Sequence, residues 1–224
     1  MVKYHPDTRF LTDYAAGSLP EAQALCVASH LHYCAGCRLK IRELTALGTE
    51  IFLLQTPLAV SSADFELLLA RVETLLHLAP VADSDPSGNK AESKAQSKQL
   101  ASLPKPLQKL ARGNLESLKW RRIGKSFRYS NLNIDPKRET TLFHIMAGCS
   151  VPHHRHGGDE ITVVIKGSFS DHDDKYNTGD FMVRTAGEKH RPVASQDGDC
   201  LCLSTLDAPR VMSSWFYRVL QPLL

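Results

Sequence analysis

Thiols and imidazoles at short, fixed spacing are the first residues of this chain that could do chemistry. The segment His30-Leu-His-Tyr-Cys34-Ala-Gly-Cys37 reads His-x3-Cys-x2-Cys. Zinc takes four borderline or soft ligands in a tetrahedron, and a Cys-x2-Cys pair at a turn into a helix aims two thiolates at one point. His30, four residues before Cys34, supplies a third corner. The fourth must come from elsewhere: His5 precedes the first helix and can fold back, while His32 and Cys26 are the local rivals. Cys26 stands one turn before His30 on the same helical face, so it could also replace a ligand on oxidation. The plainer readings of the two cysteines are small buried hydrophobes or a redox pair. The correctly spaced His favours metal.

A second constellation runs from Gly148 to Gly167 as G-x5-H-x-H-x3-E-x6-G, with His154, His156 and Glu160 as its polar positions. His154 and His156 alternate along an extended segment, so both imidazoles project to one face. Glu160 returns after the Gly157-Gly158 turn to add a carboxylate, and the stretch Gly179 to His190 brings a third imidazole from another strand. Three His and one Glu can hold a divalent metal and leave room for water or substrate; zinc, iron, manganese and nickel all accept that set. Cys200-Leu-Cys202 follows, and alternation puts both thiols on one face, where a nearby cation could lower their pKa and oxidation would disturb the strand. The remaining histidines, His77, His144, His153 and His172, read as structural or exposed.

The elements around these residues set the architecture. With 224 residues, 42% hydrophobic and 23% charged, the chain is in the globular range and needs no disulfide staple. No apolar run approaches the ~18 residues of a membrane span, and the amino terminus has no apolar signal region, so the expected location is the cytoplasm. There, 10 His and 6 Cys point to metal or redox chemistry rather than to disulfides. A net charge of +3 gives no basic patch for nucleic acid. The first 80 residues read as helices: Ser18-Leu-Pro-Glu21 fits a capping box opening a helix to about Leu31, and a second helix starts near Cys34 with a stripe of Ile41, Leu44, Leu47, Ile51 and Leu54. A third follows Ser61-Ser62 with Phe65, Leu68, Leu69, Val72 and Leu76 on one face. Such stripes serve either an ordinary helical core or a groove for a protein partner. Residues 81–106, rich in Ser, Lys, Asp and Ala, read as a flexible linker. Beyond a short helix near Leu107 to Leu118, apolar runs at Leu142 to Met146, Ile161 to Ile165, Phe181 to Arg184 and Cys200 to Thr205 alternate with turn residues, the pattern of an antiparallel sandwich or barrel.

Two resemblances join these observations. His5 with His30-x3-Cys34-x2-Cys37 over short helices resembles the zinc-binding anti-sigma domain, which implies His5, His30, Cys34 and Cys37 as zinc ligands and the apolar helical faces as the surface that wraps an extracytoplasmic-function sigma factor. The two later stretches resemble the two cupin motifs, with Thr185 in place of the customary Pro and Ala194 in place of the customary Asn. That likeness implies His154, His156, Glu160 and His190 as ligands of a second metal. The pairing is similar to the ChrR-type anti-sigma factors. It implies an α + β two-domain protein: an all-α zinc-binding helical domain over 1–80, a linker over 81–106 and an all-β cupin, an antiparallel double-stranded β-helix, over 107–224. The implied function is inhibition of a sigma factor and its release under singlet oxygen or organic peroxide, with Cys200 and Cys202 matching a Cys-x-Cys pair of the family. The competing expectation is a cupin metalloenzyme, dioxygenase-like, with the helices serving assembly.

Overall fold

The computed structural model describes residues 2–56, 61–78, 103–112, 114–151, 154–155, 157–207 and 211–212, and only the backbone at 75–78, 154–155 and 211–212. The expected linker lies outside the described residues up to position 102. From Leu103 the chain is placed, and Leu103 itself is buried.

Helix α1 (Thr8–Ala15) starts at Asp7, whose Oδ1 accepts the Phe10 amide at 2.9 Å. Helix α2 (Glu21–Tyr33) starts after Pro20 with no side-chain cap. The expected capping box at Ser18 is therefore not formed. Its hydroxyl donates instead to the Asp13 carbonyl at 3.2 Å, inside the turn that closes α1, and Pro20 takes the cap position with a preset φ. Helix α3 (Ala35–Leu53) is capped by Cys34, whose Sγ accepts the Cys37 amide at 3.4 Å. Helix α4 (Ser62–Leu78) opens on Ser61, which accepts the Asp64 amide at 3.2 Å. The single helix expected over 107–118 is instead α5 (Lys105–Leu110) and one 3-10 turn (Leu115–Ser117). Arg112 at φ 45°, a left-handed conformation, ends α5 between them.

Among the described residues all strand pairings are antiparallel. One sheet has the order β1-β2-β3-β11-β5-β8, formed by β1 (Arg121–Ile123), β2 (Phe127–Asn131), β3 (Glu139–Ile145), β5 (Glu160–Lys166), β8 (Phe181–Arg184) and β11 (Cys200–Leu206). Two three-stranded sheets close the barrel. One is β10-β6-β7, from β6 (Ser168–Ser170), β7 (Lys175–Asn177) and β10 (Val193–Ala194); the other is β12-β4-β9, from β4 (His154–Arg155), β9 (Lys189–His190) and β12 (Val211–Met212). Gly167, at φ +75°, allows the β5-to-β6 corner, where a Cβ would meet the Asp199 carbonyl oxygen at 2.2 Å.

The central strands of the large sheet are buried on both faces, and alternation sorts their side chains. Ile161, Val163 and Ile165 of β5, Leu201 and Leu203 of β11 and Phe181 of β8 form one core with Leu11, Leu25, Cys26, Val27, Leu103 and Leu107 from the helical side. Val164, Cys200, Cys202 and Met182 face the barrel interior with Phe127, Ile145 and Phe169. Helix α2 thus lies on the barrel. Fully burying an aliphatic side chain contributes about 1.5–3 kcal/mol, so Leu25 and Val27 make this packing a main support of the docked arrangement. The rest of the helical half is different: the described side chains of α4 are exposed, as are Leu47, Ile51, Phe52 and Leu53 on α3 and Leu54 just past its end.

Candidate metal centres and the apolar helical face

His5, His30, Cys34 and Cys37 come together as sequence spacing and resemblance implied, with one donor atom from each within 4.8 Å of all the others. His5 Nδ1 lies 3.4 Å from Cys34 Sγ and 3.5 Å from Cys37 Sγ. Zinc–sulfur bonds of ~2.3 Å and zinc–nitrogen bonds of ~2.0–2.1 Å give a tetrahedral sulfur–nitrogen edge of roughly 3.6 Å, close to both separations. His30 is fully buried, its Nδ1 is 2.7 Å from the Gly179 carbonyl, and among the described residues its Nε2 has no hydrogen-bond partner. Burial pushes its pKa down to about 4, so the ring is neutral, protonated on Nδ1 and left with a lone pair on Nε2 for a metal. A buried acceptor aimed at two thiols and a second imidazole fits zinc. The local rivals are elsewhere: Cys26 is buried in the core under the sheet, and the His32 ring lies edge-on to Tyr33.

In the barrel, Glu160 and His190 are both buried, with Glu160 Oε2 at 3.8 Å from His190 Nε2. Ser204 donates to Glu160 Oε1 at 2.5 Å. Behind His190, its Nδ1 lies 3.5 Å from Asp171 Oδ2, and Arg184 Nη2 donates to that carboxylate at 2.7 Å. The His154 backbone pairs directly with His190 across β4 and β9. The His154 side chain, His153 and His156 lie outside the described residues. Glu160 and His190 border a cavity of about 100 Å³, walled by Phe127, Phe143, Phe169 and Cys202 among others. Ser204, Asp171 and Arg184 went unread in the sequence because Ser, Asp and Arg carry no spacing signal for supporting a metal ligand.

Cys200 and Cys202 share a face, as alternation requires, with sulfurs 3.4 Å apart and both residues buried. For Cys202 the expectation of a pKa lowered by a cation is corrected here. The Cys200 thiol, burial and the Glu160 charge together push Cys202 well above the usual thiol value. Alkylation of the native protein at pH 8 with iodoacetamide, followed by peptide mass spectrometry, should therefore label the half-buried Cys149 first and leave Cys202 protected until the protein is unfolded. Labelling of Cys202 at the rate of Cys149 would mean that water and reagent enter the barrel freely.

The third feature is apolar. Thr12, Ala15 and Ala16 of the α1 segment and Leu44, Leu47, Gly48, Ile51 and Phe52 of α3 line a surface groove. Leu54, just past the end of α3, is 82% exposed, and Leu67 on α4 is 71% exposed. Monomeric proteins seldom leave so many large apolar side chains together in water.

A Cys/His helical module with a bare apolar face, docked on a cupin barrel, defines the class. The cupin half, residues 108–208, matches the family model described as the ChrR cupin-like domain. Over 222 residues the chain is 32% identical to the anti-sigma-E factor ChrR of Cereibacter sphaeroides, covering 99% of this chain and 97% of that protein. The crystal structure of Rhodobacter sphaeroides SigE in complex with the anti-sigma ChrR matches with a TM-score of 0.71 at 29% identity, covering 92% of this chain and 100% of that one. This chain belongs to the ChrR family.

Proposed function

We propose that this protein is an anti-sigma factor that holds an extracytoplasmic-function sigma factor inactive in the cytoplasm and lets it go under oxidative stress. The observation that carries the reading is the exposed apolar face at the carboxy-terminal end of α3 and along α4, in the same helical half as the His5–His30–Cys34–Cys37 cluster. A partner that buries this face is the occupant its chemistry calls for. The similarity to a solved SigE–ChrR complex supports that partner. Among the described residues no basic recognition helix supports nucleic acid as an alternative.

Zinc bound at the four ligands would fix the helices in the shape that presents this face. The barrel is the sensory half. Its cavity admits a small apolar oxidant beside Cys202, and the two thiols can give two electrons and two protons to an organic hydroperoxide, which leaves as alcohol and water while a disulfide forms. A bridge between positions i and i+2 of an extended strand is strained, so its formation disturbs β11, whose other face carries Leu201 and Leu203 of the core shared with the helices. Release follows only if the oxidised state binds the sigma factor less well than the reduced one.

The test is affinity capture of the full-length protein from its host, then transcription with the captured sigma factor and core polymerase. Inhibition by the reduced protein, relieved by tert-butyl hydroperoxide but not in the Cys200→Ser/Cys202→Ser double variant, is expected. A zinc-loaded protein that captures no sigma factor would sink the reading. The cavity beside Glu160 and His190 also suits a small-substrate oxygenase, and metal content separates the two: redox-inert zinc in the barrel favours sensing, whereas iron with oxygen consumption favours catalysis.

A further inference from the structure

The cluster's four ligands are held in two different ways. Cys34 and Cys37 are positioned by the helical half itself, at the capped start of α3. The two imidazoles are held by the barrel as well: His30 stands on α2 and His5 precedes α1, but both are tied to one barrel turn. Gly179, in the turn between β7 and β8, accepts from His30 Nδ1 through its carbonyl at 2.7 Å. Asp180, fully buried, accepts the amides of Lys3 at 2.6 Å and Tyr4 at 3.0 Å on Oδ1, and the Asn177 amide at 2.8 Å on Oδ2. The Phe181 amide donates to the Tyr4 carbonyl at 3.0 Å, and its ring meets His30 edge-on at 6.0 Å. The segment Lys3–Tyr4 that this turn grips leads directly into His5. Gly179 has φ +93°, and a Cβ there would lie 2.7 Å from Tyr33 Cβ and from Val2 Cγ2, so only glycine permits the approach.

We propose that the cupin turn Gly179–Asp180–Phe181 is part of the zinc centre of the helical half, with Gly179 and Asp180 as positioning residues for His30 and His5. Metal affinity and the docking of the two halves are then one linked equilibrium: whatever displaces the turn loosens both imidazoles, and metal at the cluster tightens the docking by the same factor. Strand β8 extends the link. It starts at Phe181 and ends three residues on, about 10 Å at ~3.3 Å per residue, at Arg184, which faces Glu160 in register and holds the carboxylate behind His190. A change at the barrel site therefore has a short, rigid path to the cluster. The inference rests on the reading of His5, His30, Cys34 and Cys37 as zinc ligands.

The experiment compares full-length, zinc-loaded wild type with Asp180→Ala, Asp180→Asn, Gly179→Ala and the core control Leu142→Ala. Zinc transfer to a chromogenic chelator and the thiolate-to-cobalt charge-transfer band of the cobalt-substituted protein are the readouts. Loss of an outer partner of a metal ligand typically lowers affinity by about 10–100-fold, and that range is expected for Asp180→Ala and Gly179→Ala, with a shifted cobalt band. Asp180→Asn keeps an oxygen for either the Lys3–Tyr4 amides or Asn177 and should fall between. Retention equal to wild type in the Asp180 variants overturns the inference and leaves the zinc reading standing. So does equally fast release from Leu142→Ala at matched thermal stability, which would make the effect one of general loosening. A wild type without a thiolate–cobalt band overturns the zinc reading and this inference together.

Discussion

Replacing Cys34 with alanine is expected to remove zinc from the helical half and most of that half's defined shape with it. The side chain has two roles: its sulfur sits 3.4 Å from His5 Nδ1 in the ligand cluster, and the same sulfur caps α3 through the Cys37 amide. Magnitude separates them. Losing a cap costs about 1 kcal/mol, whereas structural zinc contributes about 10–16 kcal/mol of apparent binding free energy in small zinc domains at neutral pH. Cys34→Ser retains a capping oxygen but not a soft ligand, so it should lose metal as alanine does. Elemental analysis should show one zinc fewer per chain, and circular dichroism a loss of helix. If the variant keeps its zinc and its helicity, the cluster is not a structural site.

The same site makes a pH prediction with a definite sign. In the metal-free protein, burial followed by the neighbouring Cys34 thiol pushes the Cys37 thiol up to about 12, so binding must expel its proton. Affinity should therefore fall as pH falls, by about tenfold per pH unit for each thiol proton displaced. His30, pushed down to about 4, stays neutral between pH 6 and 8 and adds nothing to the slope in that window. Chelator competition across those values measures it, and a pH-independent affinity would contradict thiolate ligation.

What could be read in the sequence follows from how local each feature is. His30, Cys34 and Cys37 lie within two turns of one another at the α2–α3 junction, so residue type and spacing alone picked out three members of the cluster. The strands were legible because alternation and turn residues mark them, and β8 coincides with the expected Phe181 to Arg184. The docking of the halves was not legible, because apart from the Lys3 and Tyr4 side chains that meet Asp174, the described polar contacts across it have a backbone atom on one side: the carbonyls of Gly179 and Ile165 and the amides of Lys3, Tyr4 and Phe181. Any residue type supplies those. Runs such as Val163 to Ile165 and Leu201 to Leu203 likewise do not announce whether one face or two will be covered. The α3 stripe contained both answers at once. Ile41 and Leu44 pack against the core, while Leu47 and Ile51 further along the same helix, and Leu54 just past its end, are exposed.

That split directs the second large effect to Phe52. The side chain is 76% exposed and borders the groove whose other members include Ala15, Ala16 and Gly48, residues too small to cover it. A sigma factor seated there would gain most from large apolar side chains it fully buries, and truncating such an anchor typically costs about 2–4 kcal/mol of binding, a drop of roughly 30- to 1000-fold. An exposed position away from caps, core and ligands shifts folding stability by only about 0.5 kcal/mol. Phe52→Ala is therefore expected to keep wild-type melting temperature and zinc content while losing sigma-factor affinity by that factor, measured by titration calorimetry. Gly48→Trp approaches the groove from the opposite direction, since a Cβ there meets nothing within 4 Å and the indole would occupy the space a partner needs. Two folded, metal-loaded variants, one emptied at the rim and one filled at the floor, should fail together. Full inhibition by both would place the sigma-factor surface somewhere other than this face.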